Sequence, residues 1–282
     1  MRLVFLTLLA LGACADGSRS APPPGPDAGV PYRLDAPDAV VDLPAELQEV
    51  SGLTVLPSGR LGAVQDETGT VFEVDPATGA IVDRLDFEGA GDFEGIELVP
   101  GDAVWALRSD GDLYRVYRDS TGAPAVRVFE TALRSRNDTE GLAYDAAGGR
   151  LLIACKEWPG EDPETGANYD GVRTIYAFDL DTERVSERPV VVLPRNVVDG
   201  RINFRPSALA VHPETGHLYV LSSVRTAIAV VDTNGAVLGV LDFPPGLLPQ
   251  PEGLVFTADG TLYVASEGGA GPGRLARFAP TD

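Results

Sequence analysis

The sequence predicts an all-β fold, a five-bladed β-propeller of four-stranded antiparallel blades. Three observations predict it. After residue 31 the chain reads as short apolar stretches separated by Gly, Asp and Pro turns, with no long helical period. A short pattern, Glu-Gly followed by an apolar pair, keeps returning near the starts of strands. The last repeat is one strand short, while an unassigned apolar stretch precedes the first.

The chain has 282 residues and opens with Met1-Arg2, an apolar run from Leu3 to Leu11, and Gly12-Ala13-Cys14. A charged start, a short apolar segment and small residues mark a signal peptide over 1–13, too short for a permanent membrane span. Leu11-Gly12-Ala13-Cys14 resembles a bacterial lipobox, which implies cleavage before Cys14 and lipidation of that residue. Several acyl chains on one residue give stable anchoring. By resemblance to the sorting rules of enteric bacteria, the absence of Asp at position 15 implies the outer membrane. Residues 14–31 are rich in Pro, Gly, Ser and Asp and read as a disordered linker. The propeller is expected over 32–282, as a monomer.

The first unit carries candidate strands at 52–56, 60–65, 70–75 and 80–87, and the second at 95–99, 103–108, 112–118 and 125–131. The third has 141–145, 150–156, 174–181 and 188–193, and the fourth 208–212, 217–222, 227–232 and 236–243. The fifth stops after 253–257, 261–266 and 274–279. Residues 32–43 are therefore expected to supply its outer strand and close the ring, leaving only short, protected edges. Unit starts at 52, 95, 141, 208 and 253 are 43, 46, 67 and 45 residues apart, so the third interval holds insertions. These are 158–170, with Trp158 and Tyr169, and 194–206, with Phe204. The three aromatics are expected either to wall a ligand or to pack the loops down.

The net charge is −20. Such a surface repels phosphate backbones and argues against nucleic acid as a partner. In a blade the first strand lies nearest the axis and antiparallel to the second. The Glu-Gly motifs thus share one face with the ends of the second strands. That gathers Asp66, Glu67, Glu94, Glu140, Glu157, Glu252 and Glu267 around one mouth of the channel. So many carboxylates need a cation, basic partners or protons. Oxygen donors without a His or Cys cluster point to a hard cation, and a wide flexible ring suits calcium better than magnesium. The bland alternative is that each Glu bonds its own turn, with Lys156, Arg108 and Arg205 neutralising the excess. Two weak copies of the motif carry Ser51 and Ser207 in place of the glutamate, so a cation is expected toward Glu94, Glu140 and Glu252.

The stretches Glu49-Val50-Ser51-Gly52-Leu53, Gln65-Asp66-Glu67, Asp92-Phe93-Glu94-Gly95-Ile96 and Asn137-Asp138-Thr139-Glu140-Gly141-Leu142 follow one another in a distinctive order. Ile153-Ala154-Cys155-Lys156-Glu157, Arg205-Pro206-Ser207-Ala208-Leu209 and Gln250-Pro251-Glu252-Gly253-Leu254 continue it. In these the chain resembles the SdiA-regulated family of bacterial propellers. The resemblance implies a five-bladed ring, kinship to NHL repeats and a calcium site at the channel, and no known reaction. The Asn137–Leu142 stretch also looks like the opening motif of phytase-like propellers, which implies a metal-dependent hydrolase of phosphoesters or lactones as the alternative.

Other chemistry has little support. The only histidines, His212 and His217, flank the turn between the first two strands of unit four, on the face opposite the carboxylates. That placement argues against a Ser-His-Asp triad at the mouth. Cys155, inside an apolar run, reads as a small buried hydrophobe. The expectation is a lipid-anchored envelope propeller that binds calcium at its mouth and recognises a small-molecule or protein ligand there.

Overall fold

The structure is a computed structural model that describes residues 30–101, 103–196 and 204–281. The expected signal segment, Cys14 and the expected linker up to residue 29 lie outside the described residues, as do 197–203 of the second insertion.

The described chain begins with β1 (Ala39–Asp42) and a 3-10 turn at Ala45–Leu47. Blade 1 follows as β2 (Val50–Val55), β3 (Leu61–Gln65), β4 (Thr68–Val74) and β5 (Ile81–Ala90). Blade 2 is β6 (Phe93–Leu98), β7 (Val104–Arg108), β8 (Leu113–Arg118) and β9 (Pro124–Phe129). Blade 3 is β10 (Thr139–Asp145), β11 (Arg150–Cys155) and β12 (Val172–Asp179). Its outer position is shared by β13 (Arg184–Val185) and β14 (Val191–Pro194), both paired with β12. Blade 4 is β15 (Ala208–Val211), β16 (Leu218–Ser222), β17 (Ala227–Val231) and β18 (Val237–Asp242). Blade 5 has β19 (Gln250–Phe256), β20 (Leu262–Glu267) and β21 (Arg274–Phe278), and β1 completes it. β1 runs antiparallel to β21, with Ala39 opposite Arg277 and Asp42 opposite Arg274. The five-bladed ring and its closure by the N-terminal strand are as the sequence predicts.

The closing segment divides its labour more finely than expected. Only Ala39–Asp42 is strand. Tyr32 and Leu34 instead bury themselves between blades 4 and 5, against Tyr219, Leu254 and Phe256. The Tyr32 hydroxyl donates to the Gly260 carbonyl (2.6 Å) and sits 2.9 Å from His212 Nε2. Pro37 separates the two halves, since it has no N–H to donate to a ladder.

The inner strands β2, β6, β10, β15 and β19 neighbour one another in turn, and β19 returns to β2. Side chains alternate between the two faces of each strand, so every blade is apolar on both sides. The core is accordingly five interblade layers. One example lies between blades 2 and 3, where Trp105, Leu107 and Phe129 meet Leu151, Ile153 and Phe178. Cys155 belongs to this layer, and burial pushes its thiol up to about 12. It is the inert hydrophobe expected.

Candidate functional site

The motif glutamates owe their position to a break in the strand ladder. In β6, Phe93 faces Arg108 and Gly95 faces Leu107, so Glu94 is an extra residue with no partner opposite. Glu252 is the extra residue of β19 and Ser51 that of β2. In β10, both Glu140 and Gly141 fall between the Thr139–Cys155 and Leu142–Ile153 pairs. Such bulges re-aim a side chain that regular alternation would send elsewhere. The glycine beside each has a second role. A Cβ on Gly95 would stand 3.0 Å from the Glu140 carbonyl oxygen and 2.9 Å from Leu142 Cβ. On Gly141 it would meet Leu209 Cγ at 2.6 Å, and on Gly253 it would meet Leu53 Cγ at 2.8 Å. The glycine is what lets the next blade's inner strand come close.

In the weak copies, serine closes the same seam. Ser51 Oγ donates to the Phe93 carbonyl (2.6 Å), and Ser207 Oγ donates to the Pro251 carbonyl (3.0 Å). Each is therefore bonded to the backbone just ahead of the next blade's glutamate.

Five of the seven predicted carboxylates interact as one group. Burial, the Glu140 charge, a hydrogen bond with Asp92, and the charges of Asp92 and Glu252 push Glu94 up to about 10. Burial raises Glu140 to about 8, against the opposing pull of Lys156, whose ammonium contacts Oε1. Glu267 rises to about 9 through burial, a hydrogen bond with Glu252, and the charges of Glu252, Asp66 and Glu49. Asp66 rises to about 6 through burial and the charges of Glu49, Asp92 and Glu67. Gln250 Nε2 bridges Glu252 Oε1 (3.2 Å) and Glu267 Oε2 (2.6 Å). The mouth thus stores more negative charge than Lys156 can neutralise, and protons take up part of the excess.

The other two predicted residues couple to the edge of this group, Glu67 through Asp66 and Glu157 through Asp138, and each has further surroundings of its own. Glu67 lines a cleft on the flank of blade 1 with Thr68, Phe72 and Arg84. Glu157 pairs with the Arg205 guanidinium. Sequence reasoning also missed members of the group. Glu49, Asp92 and Asp138 stand two residues before the bulge in blades 1, 2 and 3, and each enters the electrostatics above or that of its neighbours. Their common offset from the motif was the available signal. Further along the inner strands, Glu97 accepts from Thr54 Oγ1 (3.0 Å), the Leu98 amide (2.9 Å) and the Tyr144 amide (3.2 Å). Burial lifts it to about 7 against those three bonds.

The first insertion is fastened down. Thr174 Oγ1 (2.7 Å) and the Tyr176 hydroxyl (3.0 Å) both donate to the Pro159 carbonyl, and Asn137 Nδ2 donates to the Trp158 carbonyl (2.9 Å). Arg136 lies over the Trp158 ring, 3.4 Å from its centroid. Phe204 is only 1% exposed and packs in the core between blades 3 and 4, so it is not part of a lid. Buried Arg173 ties the two insertions together, donating to the Phe204 carbonyl (2.9 Å) and the Glu157 carbonyl (2.6 Å). Burial, with Arg195 and Arg205 nearby, brings its guanidinium down to about 10.

Among the described residues, no group of three or more His, Cys, Asp or Glu side chains is arranged to hold a metal ion. Among the described residues, four buried side-chain polar atoms have no hydrogen-bond partner: Asp66 Oδ1, Glu140 Oε2, Arg205 Nε and Arg225 Nε. All four belong to segments at the mouth face.

The fold is shared widely. Glutaminyl cyclase from Myxococcus xanthus superposes with a TM-score of 0.58 at 15% identity, over 88% of this chain and 97% of that one. A luciferin-regenerating enzyme superposes with a TM-score of 0.51 at 15% identity, over 86% and 95% of the respective chains. At that identity the likeness is one of architecture. The sequence itself is more specific: it matches the SdiA-regulated family over residues 37–271, and the chain belongs to that family.

Proposed function

We propose that this chain is a lipid-anchored propeller of the cell envelope that holds calcium at its acidic mouth and recognises a ligand there. Glu140 Oε2 carries the reading. It is a buried carboxylate oxygen with no partner, on a residue 4% exposed, beside Glu94 and Glu252. A buried acceptor left unsatisfied calls for a proton, a water or an ion. The donors are all oxygens, which fits a hard cation, and calcium accepts six to eight of them in flexible geometry. Glu94, Glu140 and Glu252 would hold it, with Asp66 and Glu267 on the outer side. These groups are not preset as ligands around one point, so binding calls for side-chain rotation. A bound ion would supply fixed positive charge to a mouth that otherwise relies on protons and Lys156.

A chain beginning after Cys14 keeps every described element. Calorimetric titration of this form is expected to give saturable calcium binding, and no binding well above millimolar calcium would refute the reading. Cys14→Ala in the full chain is expected to move the protein from the membrane fraction to the soluble one. A chain that stays with the membrane would remove the anchor. Carboxyl groups with strongly raised pKa also favour a hydrolase at the same mouth. Phosphoester or lactone turnover that is lost on chelation and in Glu94→Gln would establish that second reading.

A further inference from the structure

Among the described residues at these strand-end positions, every blade except blade 4 brings carboxylates to the mouth. Blade 1 brings Glu49 and Asp66, blade 2 Asp92 and Glu94, blade 3 Asp138 and Glu140, and blade 5 Glu252 and Glu267. At the corresponding positions blade 4 has Arg205, Ser207 and Ser223. The substitution is built into the local structure. The Arg205 amide donates to Ser222 Oγ (3.2 Å), and the Ser223 amide donates to Ser207 Oγ (3.0 Å). Arg205 is thereby fixed where its neighbours present acids.

The sector is cationic at the positions where the other blades carry acids. Asp138 feels Lys156 and Arg205, together with the opposing charges of Glu157 and Asp92. One end nitrogen of Arg205 pairs with Glu157, while its Nε is buried without a partner. Arg225, in the turn after Ser223, repeats the pattern: it pairs with Asp242 (3.4 Å), and its Nε is buried without a partner. The four unpartnered atoms therefore divide by sign. Two carboxylate oxygens belong to blades 1 and 3, and two guanidinium nitrogens belong to blade 4. A buried N–H without an acceptor is costly, and an anion answers a guanidinium better than a neutral acceptor does.

We infer that Arg205, Ser223 and Lys156 form an anion subsite for the carboxylate or phosphate of a small acidic ligand, beside the cation on the acid arc. The inference rests on the calcium reading for its affinity, because the uncompensated carboxylates would repel an anion. It makes the ligand of the mouth a small acid, bound through its anionic group between the blade 4 guanidinium and the cation.

The test uses the chain beginning after Cys14 and two weakly chelating probes, glutarate and phenyl phosphate, each titrated with and without calcium. One probe is expected to bind, in calcium only, and which one binds distinguishes carboxylate from phosphate. Arg205→Gln is expected to weaken that probe roughly tenfold or more and leave calcium affinity within about threefold. Arg205→Lys should restore part of the loss. Ser223→Asp adds a carboxylate where blades 1 and 5 have one. It is expected to abolish probe binding without weakening calcium, and it serves if Arg205→Gln does not fold. Calcium binding with neither probe bound overturns the subsite and leaves the calcium reading standing. Arg205-dependent probe binding with no calcium binding overturns the calcium reading and the cation's part in this inference, and leaves the blade 4 subsite alone standing. Probe binding unchanged in both variants overturns the subsite.

Discussion

Replacing Glu140 by Gln keeps the shape of the side chain and removes its charge. In the folded chain its carboxyl is raised from an ordinary 4.5 to about 8 by burial, even with Lys156 against it. The folded state therefore holds a proton that the unfolded chain has already released. Stability is full below about pH 4.5 and falls as pH rises through about 8, at about 1.4 kcal/mol per pH unit. Over that window the loss is on the order of 3–5 kcal/mol, and Glu94 adds to it with the same sign. Denaturant titration in chelator from pH 5 to about 8.5 reads this slope directly. Glu140→Gln is expected to flatten it by about 1.4 kcal/mol per pH unit. At alkaline pH the gain is partly offset, because Lys156 loses its partner. Calcium supplies the second readout. At a hundred times its dissociation constant it should stabilise the wild type by about 2.7 kcal/mol, or roughly 5–10 °C, and the variant far less. Equal pH slopes in the two chains, or an unchanged calcium shift in the variant, would refute the reasoning.

On the opposite face the sign reverses. His212 Nδ1 accepts from the Glu214 and Thr215 amides (both 3.3 Å), so the neutral ring donates from Nε2 to Tyr32, and burial lowers its pKa. Its contribution is present above the ordinary histidine range and lost as pH falls. Tyr32→Phe should cost about 1–3 kcal/mol and deepen this acid-side loss, because the charged ring loses its Nε2 acceptor, measured by denaturation between pH 7 and about 5. Gly95→Ala should cost about 1–3 kcal/mol through its contacts with Leu142 and the Glu140 carbonyl, read as a lowered Tm. Removing residues 30–43 leaves β21 as an open edge and uncovers Tyr219 and Phe256. The truncated chain should lose its cooperative transition and aggregate, and an unchanged monomer on gel filtration would contradict the closure.

The architecture was legible because blades announce themselves by repetition, and a missing fourth strand at one end matches a spare one at the other. Finer placement was not legible past the strand ends, where the chain bends. Asp66 and Glu67 form the bend after β3, and there Asp66 couples to Glu49 and Asp92 while Glu67 lines the flank cleft. Lys156 and Glu157 divide in the same way, the first to Glu140 and the second to Arg205. Alternation in β3 and β11 ends one residue before each pair, so tertiary contacts and not strand geometry set where these side chains go. The bulges were harder to see. An extra residue leaves no mark in the hydrophobic pattern when its neighbours still alternate. Phe204 sits in a Pro-flanked, charged stretch that reads as loop, and only tertiary packing reveals it as core.

The bulge, the glycine and the glutamate are three aspects of one constraint. The glycine brings adjacent inner strands within contact distance of each other. The bulge turns the residue before it out of the ladder. With strands that close, the turned-out side chains of successive blades approach one another, and carboxylates there raise each other's pKa. Repulsion at the mouth therefore follows from ring packing once acids occupy those positions. Serine at the same position, in Ser51 and Ser207, bonds the next blade instead and carries no charge. Three glutamates at that position crowd like charges together, and whatever neutralises them stabilises the whole ring. Binding at this mouth and stability of the closed ring are in that sense one measurement.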